Sequence, residues 1–169
     1  VCDKNIPGVY KRMQNLVFNK VSTEDNISTQ KIFSILSDCG ADMYKNQGLE
    51  HWKNPYLIEN IKKDCENKNV FLVYLDNQAV ATFMLTVDDG GALITKFAVS
   101  PKFAGKKIGS RCIEFINDWC KEQKIQRIHL DVYDKSLVAI KFYERNGFVT
   151  YDSAPTRRFR VLLMERGVQ

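Results

Sequence analysis

Three stretches decide the fold: Leu93-Ile-Thr-Lys-Phe-Ala-Val99, Gly105-Lys-Lys-Ile-Gly-Ser110 and Ala139-Ile-Lys-Phe-Tyr-Glu-Arg-Asn-Gly-Phe148. The first predicts an apolar strand, which ends before Ser100 and Pro101. The second is a basic loop with two glycines, and it opens directly into an amphipathic helix over 108–123. Because such a loop can direct consecutive N–H groups at one point, it is typical of an anion site. The third stretch is a short helix with a glycine cap.

The remaining elements place these stretches in a mixed α/β domain. Apolar residues at helical spacing predict helices over 27–45, with a break at Gly40 left open, and over 54–66. A strand is predicted at 15–21, and a meander of three antiparallel strands at 70–75, 79–87 and 93–99. Another strand at 125–132 and a hairpin at 148–151 and 158–165 follow. We expect an N-terminal arm at 1–14 and one domain at 15–169.

Composition excludes few functions. The chain has 169 residues, enough for one domain, with 44% hydrophobic and 27% charged residues, as in soluble globular proteins. No apolar run approaches the roughly 20 residues of a membrane helix, and no signal-peptide pattern opens the sequence. The net charge of +5 favours anionic ligands without distinguishing nucleic acid from a phosphorylated cosubstrate.

The cysteines argue against disulfides and metal. Their number is odd, no two are spaced as C-x-x-C, and the chain has only 2 histidines, so neither a disulfide framework nor a zinc site is predicted. Reduced cysteines on helices act as small hydrophobic residues. A chain without a disulfide framework favours a reducing, cytoplasmic location. The five are Cys2, Cys39, Cys65, Cys112 and Cys120.

The order of these parts resembles the GNAT superfamily of acyl-CoA-dependent N-acyltransferases. The resemblance covers about 15–166, with its specific motifs between Leu93 and Phe148. It implies a central, mostly antiparallel sheet with a splayed parallel pair of strands and helices on both faces. It also implies acetyl-CoA as cosubstrate without a metal, and a small-molecule or peptide amine as acceptor. The identity of that amine and a homodimer stay open.

The resemblance assigns the basic loop to the CoA diphosphate. Its members here are Gly105, Lys106, Lys107, Ile108, Gly109 and Ser110. Gly109 matches the last glycine of the family loop, but Ala104 stands where Arg or Gln is usual, and Lys107 stands where the first glycine is usual. Lys107 either supplies charge to the phosphates or imposes a different loop path.

Further roles follow from the same resemblance. Tyr143 matches the family tyrosine that commonly protonates the departing CoA thiolate, although it could be an ordinary half-buried aromatic residue. The pantetheine arm would pair with the main chain of Phe97, Ala98 and Val99, whose side chains would in either case be core. Ser136 occupies the position of an asparagine that often contacts the cofactor, so this contact is shorter here or lost.

The general base has no clear candidate. An amine substrate must lose a proton before it attacks, and a carboxylate or histidine can accept that proton. A side chain of this kind is more often a solvated surface group or a helix cap than a base. His129 shares one strand face with Asp131. In the same region as Glu50 and His51, Tyr44 and Trp52 either line an acceptor pocket or belong to the core. The candidates are Glu50, His51, Asp88, Asp89 and Asp131.

Three functions are compatible with these observations. The leading hypothesis is an N-acetyltransferase. The second is a catalytically weak acyl-CoA-binding or sensor module of the same fold, motivated by Ala104, Lys107 and the missing base. The third, a nucleic-acid-binding domain, rests on net charge alone, and because no recognised nucleic-acid motif is present we expect no nucleic-acid partner. We expect no membrane partner either, since no apolar run has the length of a membrane helix.

Overall fold

The computed structural model describes residues 9–13, 15–53 and 56–169. The chain divides into two compact units, which we call the first unit (Val1–Leu85 with Lys96–Arg111) and the second unit (Thr86–Thr95 with Cys112–Gln169). None of the helices within the described ranges has the length and hydropathy needed to cross a membrane.

The strands of the first unit are antiparallel. β1 (Val9–Met13) pairs with β2 (Leu16–Lys20), β2 with β3 (Asn69–Leu75), and β3 with β4 (Gln78–Asp88). Residues 9–13 of the expected arm therefore form a strand, while residues 1–8 and 14 lie outside the described ranges. The division into an arm and one domain stays a prediction.

Two helices pack on this part of the sheet. α1 (Asn26–Gln47) begins at Asp25, whose carboxylate accepts the Ser28 N–H at 2.9 Å, and it runs through Gly40 without a break. α2 (Ile58–Asn67) begins later than predicted, because Leu57 has an extended backbone with a ψ of 149°, and the predicted cap at Asn54 and Pro55 lies outside the described residues. Apolar side chains of both helices share a core with strand residues, which include Ile32, Leu36, Ile61, Val70, Leu72 and Met84.

The second unit contains the parallel pair. β5 (Gly91–Val99) pairs with β6 (Arg127–Tyr133) over three residue pairs, from Ala92 with Ile128 to Ile94 with Leu130. The short ladder agrees with the expected splayed pair. β8 (Arg160–Gly167) lies antiparallel between β6 and β7 (Val149–Pro155). The mixed α/β fold class with mostly antiparallel strands is thus confirmed.

One close approach fixes the start of β5. Gly91 has a φ of 123°, and a Cβ there would lie 2.3 Å from the Arg127 carbonyl oxygen. Only glycine fits this position without moving β6. The helices of this unit are α3 (Ile108–Glu122), which begins in the first unit, and α4 (Leu137–Arg145).

Candidate active site

The basic loop ends at the N-terminus of α3. The first main-chain hydrogen bond of the helix runs from the Arg111 N–H to the Lys107 carbonyl at 3.2 Å. The N–H groups of Ile108, Gly109 and Ser110 therefore precede the intrahelical ladder. Three consecutive donors at the positive end of a 15-residue helix suit a phosphate group.

Lys107 adopts the backbone conformation that glycine favours. Its φ is 57°, and that of Gly105 is 77°, so both residues lie in the left-handed region. A lysine at the usual glycine position therefore keeps a positive φ, at the cost of strain that glycine avoids. Lysine in place of the usual glycine therefore adds a side chain and backbone strain at position 107, but the backbone conformation is one that glycine also adopts.

Exposed cations surround this loop. Lys106 and Lys107 are both exposed, and the Lys106 ammonium lies 5.4 Å from the Phe103 ring centroid. Ala104, where Arg or Gln is usual, is exposed and donates its N–H to the Pro101 carbonyl at 3.2 Å. The loop therefore combines main-chain donors with positive charge, although Ala104 adds no side-chain donor.

The end of β5 is half-buried at Phe97 and Val99, and its main chain is already bonded on one side. Phe97 stacks on Phe83 with centroids 6.1 Å apart, and Ala98 is buried. The Val99 carbonyl accepts the Cys39 S–H of α1 at 3.0 Å. Because burial raises the pKa of the Cys39 thiol to about 12, the sulfur stays protonated and remains a donor at neutral pH.

A second contact, which the sequence pattern does not reveal, holds β5 at Lys96. Lys96 has a φ of 47° inside the strand, and its ammonium binds Asp64 of α2 at 2.5 Å. The same ammonium lies 5.0 Å from the centroid of the Tyr56 ring. Only the pair of Asp64 with Lys68, at helical i,i+4 spacing, could have been found from the sequence.

Aromatic residues of the first unit lie near α2 and the end of α1. Trp52 packs against Tyr56 with ring centroids 6.2 Å apart. Tyr44 is partly exposed, and the Lys53 ammonium lies 5.0 Å from its ring centroid. Tyr44 is thus not a core residue, and its ring face is already covered by a cation.

Tyr143 lies in the second unit, on the inner side of α4. Its ring makes edge contacts with Phe142 at 5.2 Å and Phe148 at 5.5 Å, and only 9% of the residue is exposed. Burial raises the pKa of the phenol above its ordinary value of 10.0, so Tyr143 is protonated at neutral pH. A protonated, desolvated phenol can act as an acid and is a poor base.

Ser136 precedes α4 and is 4% exposed. Its N–H donates to the Tyr133 carbonyl at 2.9 Å, and its carbonyl accepts the Ile140 N–H at 3.0 Å. Its side chain makes no capping hydrogen bond to the helix. The main chain of Ser136 is therefore committed to the turn, which leaves its hydroxyl as the group that could meet a ligand.

The base candidates do not form one cluster. Asp88 Oδ1 lies 3.4 Å from His129 Nε2, but it accepts its hydrogen bond from the Gly90 N–H at 2.8 Å. Asp89 and Asp131 are exposed in the second unit, as is Glu50 in the first. The side chain of His51 lies outside the described residues. The structure thus brings the candidate Asp88 next to His129, the histidine that shares a strand face with Asp131.

Within the described ranges, no group of three His, Cys, Asp or Glu side chains is arranged to hold a metal ion. Four cysteines of these ranges are free thiols and all are buried: Cys39, Cys65, Cys112 and Cys120.

Comparison with known proteins gives a consistent result. A model of the acetyltransferase (GNAT) family matches residues 30–148. Streptothricin acetyltransferase A of Bacillus subtilis (strain 168) is 28% identical over 108 residues, which are 59% of this chain and 62% of that protein. The chain thus spans less than two thirds of the length of this curated relative.

Solved structures share the fold. PaiA N-acetyltransferase from Thermoplasma acidophilum, in complex with coenzyme A, has a TM-score of 0.74 at 18% identity, covering 90% of this chain and 98% of that one. The ribosomal-protein-S18-alanine N-acetyltransferase from Escherichia coli has a TM-score of 0.72 at 16% identity, covering 90% and 94%. At such identities the likeness extends to the fold alone.

Proposed function

Since the chain belongs to the acetyltransferase (GNAT) family, a class of acyltransferase enzymes, we propose that it transfers the acetyl group of acetyl-CoA to a primary amine. The observation that carries this proposal is the loop before α3. Its three main-chain donors and left-handed Lys107 provide the backbone that a diphosphate requires. The relative in complex with coenzyme A supports the same cosubstrate class.

Main-chain groups of two segments bind the cosubstrate in the proposed reaction. The N–H groups of Ile108, Gly109 and Ser110 bind the diphosphate, and the main chain of Phe97–Val99 orients the thioester arm. When bound, acetyl-CoA supplies an activated acetyl group, whose C–S bond breaks as the C–N bond to the amine forms. Main-chain N–H groups polarise the carbonyl, and preorganised geometry supplies much of the acceleration.

Tyr143 completes the reaction as general acid. Its raised pKa keeps the phenol proton in place until negative charge develops on the leaving sulfur, which then accepts that proton. The proton of the attacking ammonium leaves to water or to a base that we do not assign. Ser136 is assigned to cofactor binding through its hydroxyl.

The acceptor is proposed from the relatives. The name of streptothricin acetyltransferase A points to streptothricin, whereas that of the Escherichia coli enzyme points to an alanine of ribosomal protein S18. The sequence match is to the former, so a small-molecule amine is the first choice. A free peptide amine is the second.

One assay tests the proposal. Purified protein is incubated with acetyl-CoA and, separately, streptothricin, spermidine, free amino acids and an alanine-initiated peptide, and thiol release is followed. Amine-dependent thiol release above the rate without acceptor supports the enzyme. Calorimetric binding of CoA without thiol release for any amine would favour the sensor module, which Ala104 and Lys107 motivate. Absence of both binding and release would refute the proposal.

A further inference from the structure

Side chains from two helices hold the segment Lys96–Val99 at both of its ends. Asp64 of α2 binds Lys96, and Cys39 of α1 binds the Val99 carbonyl. All of these residues lie in the first unit. Asp64 and Cys39 belong neither to the loop nor to the strand that the proposed function uses. Their contacts nevertheless restrain the main chain of Phe97–Val99.

At the first end, the strand departs from regular geometry. A φ of 47° is unusual for a residue with a Cβ, and lysine has no side-chain feature that favours it. Such a conformation persists only where the surroundings determine it. The ammonium of Lys96 is bound by Asp64 at 2.5 Å, with only 15% and 13% of the two side chains exposed. The Tyr56 ring covers the same ammonium at 5.0 Å.

At the second end, the Cys39 sulfur donates to the Val99 carbonyl at 3.0 Å. The next residue, Ser100, donates its N–H to the Val80 carbonyl of β4 at 2.8 Å. The carbonyl of Val99 is thereby oriented toward α1. The main chain at the end of β5 is held by α1 through Val99 and by β4 through Ser100.

We propose that Asp64 is a positioning residue, which acts through Lys96 to keep the main chain of Phe97–Val99 in the geometry that receives the thioester arm, with Cys39 acting likewise on Val99. This inference rests on the proposed function. It extends that function by making α2 a determinant of cofactor affinity.

The chain supplies a matched control. Asp64 also binds Lys68 at 2.9 Å, one turn along the same helix. Lys68→Met removes one cation from Asp64 without touching β5, whereas Lys96→Met removes the other while retaining an apolar stem beside Tyr56. Asp64→Asn removes the charge from both. A purely general stabilising role of Asp64 predicts similar effects from the two lysine variants.

The first readout is independent of any ligand. Amide exchange of Ser100 reports the end of β5, and that of Leu72, buried in β3, reports global opening. We expect Ser100 to exchange at least tenfold faster in Lys96→Met and Asp64→Asn, with Leu72 and the Lys68→Met protein changing less than threefold. Equal acceleration of Ser100 and Leu72, or an equal effect of Lys68→Met, would overturn the inference.

The second readout is CoA affinity by calorimetry. Lys96→Met and Asp64→Asn should weaken CoA binding at least tenfold, while Lys68→Met should change it less than twofold. Cys39→Ala should weaken binding, and Cys39→Ser, which retains a donor, should restore most of it. Faster Ser100 exchange with unchanged CoA affinity would overturn the positioning role. A wild-type protein that does not bind CoA would refute the proposed function itself, and the exchange data would still decide whether Asp64 holds β5.

Discussion

Replacement of Lys107 separates the contribution of the loop backbone from that of its charge. Lys107 has a φ of 57°, and its side chain is exposed. Lys107→Gly and Lys107→Ala both remove the ammonium group and the stem. They differ in the Cβ, which alanine retains in the left-handed region and glycine lacks.

The expected difference follows from two opposing effects. The left-handed conformation costs a residue with a Cβ about 1–2 kcal/mol. Glycine avoids this cost but loses roughly 0.5–1 kcal/mol more conformational freedom on folding than alanine. The Lys107→Gly protein should therefore be about 0.5–1 kcal/mol more stable than Lys107→Ala, which corresponds to about 1–4 °C in Tm for a chain of this size. If φ at this residue were negative, the order would be reversed.

Urea unfolding followed by circular dichroism measures this difference. Lys106 is the control, because it is equally exposed but is not among the described residues with positive φ. Lys106→Ala should be more stable than Lys106→Gly, the opposite order to that at position 107. The same preference for alanine at both positions would refute the loop backbone described for this protein. CoA affinity should fall by only about two- to fivefold in both Lys107 variants, since an exposed charge contributes at most ~1 kcal/mol.

Three other outcomes are expected. Tyr143→Phe should lower the turnover number by about a hundredfold or more with CoA affinity unchanged within twofold, while Tyr151→Phe, an exposed tyrosine of the second unit, should leave turnover unchanged; equal turnover in both variants would remove the acid role. Burial raises the folded-state pKa of Cys39 and Cys120 from 9.0 to about 12, so above pH 9 the unfolded chain loses protons that the folded chain keeps, and the free energy of unfolding should fall by about 1 kcal/mol per thiol at pH 10 relative to pH 7. Urea unfolding at the two pH values measures this fall in the free energy of unfolding, and Cys120→Ala should reduce it by the contribution of one thiol. Gly91→Ala should destabilise the protein by about 3 kcal/mol, because its Cβ would lie 2.3 Å from a carbonyl oxygen, and a change below 0.5 kcal/mol in unfolding free energy would contradict the described start of β5.

Elements with a strong local pattern could be predicted from the sequence. The continuous apolar run of β3 and the amphipathic spacing of α3 led to bounds within two residues of those observed. The break at Gly40, which the sequence left open, is absent from α1, because helix packing buries this glycine and compensates for its low helix propensity. The predicted start of the helix over 54–66 was too early, since Leu57 precedes α2 and is 66% exposed.

The features that escaped prediction depend on contacts between distant residues. β1 has no clear period, and its strand exists through pairing with β2. Lys96 is 32 residues from Asp64, and Cys39 is 60 residues from Val99, so no spacing rule connects them. The loop before α3 was identified because its chemistry is local. Its left-handed Lys107 was not, because lysine does not signal a positive φ.

An NMR titration with CoA decides whether the N-terminus of α3 binds the diphosphate of acetyl-CoA. We expect CoA to shift the amide resonances of Ile108, Gly109 and Ser110 in a saturable manner, whereas pantetheine, which lacks the diphosphate, should leave them in place. Unchanged resonances at saturating CoA, or the same shifts with pantetheine, would contradict that binding.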